Sequence, residues 1–316
     1  MNVIRLLTLE NIKKWLWSLI RFVLIAGLSF VILYPIIQKI STAIKHPSDL
    51  YSPIVVWIPE TYTLENFKNA ISIMNYWETL WNTFLLASVT TVLTTASCAL
   101  AGYAFARLLK SKGSKLLFAG VILTILVPPT TILIPMYMNL REFSMLGIIP
   151  LFTGDTVNLL DSYWPFILTS MTANSLKAGL YIFIFTQFFR GIPKAIEEAA
   201  YIDGAGVGKT FFRIMLPNAF PAIVTVVLFS FVWQWNDSFY TTTYLTSSNV
   251  MATQLSSLPY NLSMHLDHGD SANTDPFYLS MVQDTGILLS ILPLIIIYLF
   301  VQRYFVQSVE RSGIVG

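Results

Sequence analysis

Five long stretches of this chain contain no Asp, Glu, Lys or Arg, and they constrain its fold more than any other feature. They are rich in Leu, Ile, Val and Phe and cover residues 22–38, 79–106, 116–140, 214–236 and 285–302. A helix needs about 20 mostly apolar residues to cross a bilayer. A sixth apolar run, at 178–189, is shorter, and its helix is expected to begin near Asn174, with Lys177 reaching the outer membrane surface. The sequence therefore predicts an all-α polytopic membrane protein with six transmembrane helices.

The composition agrees with a membrane protein. Hydrophobic residues make up 55% of the 316 residues, charged residues only 11%, and the mean hydropathy is +0.64. A soluble domain carries about 25% charged residues, so this chain has too few to cover a water-exposed surface. The net charge of +2 gives no reason to expect a nucleic-acid partner. The single cysteine, Cys98, cannot form a disulfide within the chain and is expected to pack inside the second span.

The distribution of Lys and Arg predicts the orientation. Six spans place both termini on one side, and 14 of the 19 Lys and Arg residues fall in the segments of that side. Because cytoplasmic loops are enriched in basic residues, both termini are predicted to be cytoplasmic. The first apolar stretch is interpreted as an uncleaved helix and not as a signal peptide, since it is long enough to span and offers no small-residue cleavage site at Tyr34-Pro35.

The cytoplasmic segment at 190–217 predicts two short helices joined by a glycine. Pro193 suits a first helical turn, and Glu197 and Glu198 suit the positive end of the helix dipole. Gly204 is predicted to end the first helix in the left-handed conformation, and a second helix is predicted from about Val207. On residues alone, a loop resting on lipid headgroups and a surface that docks a partner both stay open.

Residues of this segment resemble the EAA motif of ABC importer permeases, in the form found in carbohydrate permeases of the maltose and multiple-sugar type. The residues that carry the resemblance are Glu198-Ala199-Ala200, Gly204, Ile214, Leu216 and Pro217. Further stretches are similar to the same family, and the resemblance extends from about Thr63 to Gly316. These stretches are Asn82-Thr83, Gly102–Arg107, Trp235-Asn236-Asp237, Gln302–Val306 and Gly313–Gly316.

The resemblance implies a type I ABC importer permease fold in the bacterial cytoplasmic membrane. It divides the chain into an N-terminal segment with the first transmembrane helix and an external loop, at 1–62, and a five-helix permease core at 63–316 that contains the coupling loop 190–217. Such a subunit pairs with a second, similar permease and two ATPase subunits, and an external binding protein delivers its solute. It is not an enzyme, and no metal or cofactor is expected in this chain, because ATP and Mg²⁺ bind to the ATPases.

The resemblance also assigns site residues. It implies that the ATPase-coupling residues are Glu197, Glu198, Ala199, Ala200, Asp203, Gly204, Ile214, Leu216 and Pro217. Aromatic faces and neutral hydrogen-bonding groups bind sugars, so the predicted substrate pathway comprises Asn82, Trp233, Trp235, Asn236 and Tyr240. An aromatic belt at the membrane surface explains the aromatic members of this second set equally well.

The expected function is therefore import of a carbohydrate, an oligosaccharide in particular, by alternating access. The alternative is an ATP-independent secondary transporter or channel for a neutral solute, but ionisable residues at membrane depth are nearly absent. The stretch Gly204–Thr210 lacks the first glycine and the preceding strand of a phosphate-binding loop. His265, Asp267, His268 and Asp270 are interpreted as a solvated loop and not as a metal site.

Two further features of the sequence are expected to shape the molecule. Pro128, Pro129 and Pro135 should kink the third span. Two external segments, at 147–163 and 261–284, are longer than the resemblance leads one to expect, and they are predicted to contact the binding protein or the partner permease.

Overall fold

The computed structural model describes residues 9–52, 57–109, 111–145, 147–266 and 275–313. Within these ranges the chain is helical, and its β-structure is limited to two isolated bridges, Lys45–Tyr62 and Phe143–Val157. The predicted all-α class is confirmed. Asp267, His268 and Asp270 lie at 267–274, outside the described residues.

Most helices follow one another with short connections, and the longer one between α1 and α2 contains the 3-10 helix Pro47–Tyr51. They are α1 (Leu9–Ala43), α2 (Glu65–Ile73), α3 (Tyr76–Tyr103), α4 (Lys112–Leu126), α5 (Pro129–Arg141), α6 (Ile148–Thr153), α7 (Trp164–Met171), α8 (Ala178–Gly191), α9 (Lys194–Ile202), α10 (Val207–Thr210), α11 (Leu216–Asn218), α12 (Phe220–Trp235), α13 (Phe239–Tyr244), α14 (Met251–Leu266) and α15 (Pro276–Gly313). Two π-helical turns, Ala104–Leu108 and Phe211–Met215, extend α3 and α10.

Three helical stretches are long and apolar enough to cross a membrane: Ile12–Ala43, Tyr76–Leu108 and Pro276–Gln302. Two bent pairs bring the candidates to five among the described residues, if each pair is one span. The sixth predicted span corresponds to α8, which has 14 residues and is shorter than the roughly 20 that a straight span needs. The count of six therefore stays a prediction.

The first bent pair has a local cause. α4 ends and α5 begins at Pro128 and Pro129, because Val127 before them takes the extended conformation that proline imposes. The two helices meet at 103°. The kink predicted at these prolines is confirmed, and Pro135 lies inside α5 without ending it. The second pair, Val207–Asn218 and Phe220–Trp235, meets at 77°. Similarly, α8 begins at Ala178 and not near Asn174, because Lys177 has a left-handed φ of 61°.

The chain forms two compact units, and the first comprises Met1–Ile73 and Leu258–Leu289. Asp49 organises its loop by accepting hydrogen bonds from the backbone N–H groups of Glu60 and Thr61 at 2.9 and 3.0 Å. The backbone N–H of Thr61 is the main cause that lowers the pKa of Asp49 from its usual value. Lys39 forms an ion pair with Asp284 in the same unit. The division expected between residues 62 and 63 stays a prediction.

The second unit, Met74–Ser257 and Ser290–Gly316, contains the largest core. α3 packs against α7, α8 and α12. Cys98 is buried in this core, as predicted. α3 and α8 approach closely at Gly102, where an added Cβ would lie 2.5 Å from the Cβ of Phe185. Only a glycine at this position lets the two helix backbones approach so closely.

Candidate functional site

The segment at 190–217 contains two short helices, α9 and α10, as the sequence predicts. α9 ends in a glycine-capped turn: Gly204 has φ +74°, its N–H donates to the Tyr201 carbonyl at 3.1 Å, and the Ala205 N–H donates to the Ala200 carbonyl at 2.9 Å. This pair of bonds is the Schellman motif, and it satisfies carbonyls that the helix end would leave free. Gly204 therefore turns the chain at the tip of the segment.

The tip presents an exposed surface of mixed character. Glu198, Ala199, Asp203 and Gly204 are exposed, and Ile202 beside them is 86% exposed. Val207, on the far side of the glycine turn, is exposed as well. Apolar residues of this size on a tight, well-capped turn suit a surface that a partner covers.

Glu197 does not share that surface. It is only 6% exposed, its Oε1 accepts a hydrogen bond from the Tyr103 hydroxyl at 2.8 Å, and its Oε2 pairs with Arg107 Nε at 3.0 Å. Arg107 also donates to the Ile192 carbonyl, just before α9. Glu197 thus anchors α9 to the end of α3, whereas its neighbour Glu198 is available to a partner.

The remaining residues predicted to couple to the ATPase also differ in burial. Ala200 is buried, Ile214 and Leu216 are half-buried, and Pro217 is exposed. Phe211 and Met215, in the π-turn after α10, are buried in the core with α3 and α8. The segment therefore contacts the helical core at Ile192 before α9 and at Phe211 and Met215 after α10. The turn between α9 and α10 is exposed.

A second feature of this unit is a cavity of ≈ 600 Å³. Its walls come from the bend between α4 and α5, from α7 and the start of α8, and from the end of α12 with α13. Of the predicted pathway residues, Trp233 and Tyr240 line the cavity.

The other three pathway residues make contacts elsewhere in the second unit. Asn82 donates to the Asn249 carbonyl at 3.0 Å, and the buried Trp235 donates its Nε1–H to the Ser290 carbonyl at 3.2 Å. Asn236 is exposed and donates to the Val232 carbonyl of its own helix. None of the three is among the residues that line the described cavity.

Several polar residues outside the predicted pathway also line the cavity, among them Lys177, Gln234 and Tyr244. One signal was available, because Tyr240 and Tyr244 are four residues apart and lie on the same face of α13. Lys177 gave no such signal, since its place depends on the turn before α8.

Comparison with known proteins identifies the molecule. Residues 99–311 match the family described as "Binding-protein-dependent transport system inner membrane component". The chain belongs to this family. It is a multi-pass membrane subunit of an ABC transporter and not an enzyme, because ATP is hydrolysed on partner ATPase subunits. The family also implies a substrate-binding protein as a partner, and membership excludes the ATP-independent alternative.

Individual relatives match over nearly the whole chain. The probable ABC transporter permease protein YurM of Bacillus subtilis is 26% identical, with 96% of this chain and 91% of the relative covered. The arabinooligosaccharides transport system permease protein AraQ of Halalkalibacterium halodurans is 25% identical, covering 92% and 94%. The melibiose/raffinose/stachyose import permease protein MelC of B. subtilis is 27% identical, covering 89% and 91%.

A solved structure confirms the predicted permease fold. It is that of a bacterial ABC transporter involved in the import of the acidic polysaccharide alginate, and one of its chains superposes with a TM-score of 0.73. The match covers 93% of this chain and 98% of that chain at 22% identity.

Glu197 and Glu198 allow a matched test of anchoring against partner contact. Glu197→Ala leaves the buried Arg107 without its partner, which costs on the order of 3–5 kcal/mol, so the thermal midpoint of the detergent-purified complex should fall. Glu198→Ala removes an exposed carboxylate, so the midpoint should stay unchanged while substrate-stimulated ATP hydrolysis decreases. Equal melting of both variants with the wild type would contradict the anchoring role of Glu197.

The glycine turn can be tested separately. A β-branched residue strongly disfavours positive φ, so Gly204→Val should remove most of the substrate-stimulated ATP hydrolysis in reconstituted membranes. Gly204→Asn should keep most of it, because asparagine tolerates the left-handed conformation. Gly208→Val is the matched control, since a Cβ at either glycine meets nothing within 4 Å. Full stimulation with Gly204→Val would show that the turn does not matter for coupling.

Proposed function

We propose that this chain is the permease subunit of an importer for a carbohydrate, specifically an oligosaccharide. The main support is what its relatives carry: the names of AraQ and MelC, and of the diacetylchitobiose uptake permease DasC of Streptomyces coelicolor, specify oligosaccharides. The cavity agrees with such a solute, because its described lining contains aromatic and neutral polar side chains, the single cation Lys177, and no Asp or Glu. A proton-coupled transporter would need such acids.

The transport cycle we propose is alternating access driven by two partner ATPase subunits. The exposed middle of the segment, with Glu198, Ala199, Asp203 and Gly204, sits in a groove of one ATPase, and Ile202 supplies apolar contact there. A second, similar permease completes the pathway, and an external binding protein delivers the sugar. ATP and Mg²⁺ stay on the ATPases, and this chain contributes no catalytic group.

The external segment at 147–163 is proposed to contact the binding protein or the partner permease. Gly147 and Gly154, both with positive φ, bracket α6, and Leu151 and Phe152 on this helix are 80% and 83% exposed. The base of the segment is fixed, since Asp161 accepts a hydrogen bond from the Ser247 N–H at 3.0 Å. The second long segment, at 261–284, is proposed to serve the same contact.

Uptake measurements test the proposed substrate class. Cells from which this gene is deleted should lose uptake of at least one labelled oligosaccharide among arabinotriose, raffinose and N,N′-diacetylchitobiose, and a plasmid copy should restore it. Uptake of glucose by an unrelated route is the control for general energisation. Loss of amino-acid or peptide uptake, with normal uptake of every sugar, would refute the proposal.

Orientation is tested by labelling. We propose that both termini are cytoplasmic, which places Lys112 inside and Thr156 outside, and both residues are exposed. After Cys98→Ala, a membrane-impermeant maleimide added to intact cells should label Thr156→Cys and leave Lys112→Cys unlabelled. Both should react in opened membranes. Labelling of Lys112→Cys in intact cells would invert the topology.

A further inference from the structure

Three basic residues lie where α4 begins and the neighbouring α8 ends. Lys112, Lys115 and Arg190 are all exposed, and we call them the basic cluster. Cζ of Arg190 lies 5.1 Å from the ring centroid of Phe118 on α4, a cation–π contact that holds the guanidinium against this helix. Lys115 precedes Phe118 by three residues, so the two side chains are neighbours on the helix surface.

The basic cluster has no acidic counterpart in its own helices. Neither α4 nor α8 contains an Asp or Glu. The ion pairs among the described residues, Lys39–Asp284 and Arg107–Glu197, do not include any member of the cluster. Positive charges that are grouped without a carboxylate attract an anion, so the cluster favours a negatively charged partner.

The lysines of the basic cluster continue into an apolar face of α4. This face comprises residues spaced three or four apart, which therefore lie on one side of the helix. They are Lys112, Lys115, Ala119, Leu123 and Leu126. Leu123 and Leu126 are 60% and 73% exposed, and none of the five is among the described residues that line the cavity. This side of α4 thus presents two cations in its first turn and exposed apolar side chains beyond them.

We propose that the basic cluster and this face of α4 bind an anionic phospholipid. The phosphate and the anionic headgroup accept hydrogen bonds from Arg190, Lys115 and Lys112, and an acyl chain lies along Leu123 and Leu126. A guanidinium suits a phosphate because it presents paired donors. Basic residues next to an apolar membrane helix attract anionic lipids, and α4 with α5 forms one of the candidate spans. The inference goes beyond the proposed function, since it concerns the membrane and not the transported solute.

An acidic surface of a partner subunit is the competing occupant. It would match the basic cluster but not the apolar residues that follow it on the same side of α4. A phospholipid matches both. Leu123 lies about 12 Å along the helix from Lys115, at a rise of about 1.5 Å per residue. This distance is within the roughly 15 Å of hydrocarbon in one leaflet, half of a bilayer core of about 30 Å.

The first test measures lipid binding at the site itself in the full transporter, with both permeases and the ATPases, in detergent micelles. A bimane dye is attached at Leu116→Cys, next to Lys115, in a complex without other reactive cysteines, and residue 116 is 76% exposed. Spin-labelled phosphatidylglycerol should quench the dye at a lower lipid fraction than phosphatidylcholine with the same acyl chains. Each basic residue contributes about 5-fold to such binding, so Lys115→Gln and Arg190→Gln should each raise the half-saturating fraction about 5-fold.

Two further variants serve as controls. Arg190→Lys keeps the charge and should retain most of the preference for phosphatidylglycerol. Arg141→Gln also removes an exposed arginine, but at the end of α5 and outside the basic cluster, so it should leave quenching unchanged. The yield of assembled complex, measured for every variant, separates misfolding from loss of the lipid site.

The second test identifies what covers the apolar face. Leu123 is replaced by the photoreactive residue benzoylphenylalanine, and the transporter is illuminated in vesicles of phosphatidylglycerol and phosphatidylcholine. The main adduct should be a phospholipid. The same replacement at Ile202, in the exposed turn after α9, should instead give a cross-link to an ATPase if the proposed function is correct.

The outcomes keep the two proposals apart. Equal quenching by both lipids, or unchanged quenching in both glutamine variants, would overturn the lipid site. A partner subunit as the main adduct at position 123 would overturn it as well and assign this face to a protein contact. None of these results involves sugar uptake, so the proposed function is decided separately by the uptake measurements.

Discussion

A buried ion pair between Arg107 and Glu197 fixes the position of α9 in the second unit. Both side chains are more than nine-tenths buried, so each charge depends on the other for its solvation. Such a pair adds little net stability compared with a well-packed apolar pair, but removing either partner is strongly unfavourable. The pair holds α9 against the end of α3, and the Tyr103 hydroxyl donates a hydrogen bond to the same Glu197 carboxylate.

The same region connects to the rest of the core through aromatic rings. The ring of Tyr103 lies 5.6 Å from that of Phe189 at the end of α8 and 5.0 Å from that of Phe211 after α10. α3, α8 and the coupling segment therefore meet at one residue. Because Gly102 lets α3 and α8 approach closely, neither helix can move far without the other in a close-packed interior.

The sequence was sufficient for the helical class, the proline break and the glycine turn, because each depends on local backbone chemistry. Gly204 ends α9 because glycine can take positive φ, and this property belongs to the residue itself and needs no distant contact. Pro128 and Pro129 likewise act on their own neighbours, although the angle of 103° between α4 and α5 depends on packing and was not predicted.

The parts that sequence reasoning missed depend on contacts between distant residues. Glu197 and Glu198 are adjacent and chemically identical, yet a step of about 100° around the helix puts one against Arg107 and the other in the open. Trp233 and Trp235 also have different surroundings: Trp233 lines the cavity, while Trp235 donates a hydrogen bond to the Ser290 carbonyl. The spacing of residues along the chain does not show which member of such a pair is buried until the neighbouring helix is known.

α8 connects the cavity to the segment at 190–217. Its first turn, with Ala178 and Gly179, lines the cavity, and its last turn, with Phe189, packs on Tyr103 and Phe211. At Gly179 an added Cβ would lie 2.5 Å from the Thr124 hydroxyl, so α8 also touches α4 next to the bend. A 14-residue helix transmits displacement as a rigid rod over its length. We infer that a partner which shifts the anchored coupling segment moves α8, and that α8 in turn changes the wall of the cavity.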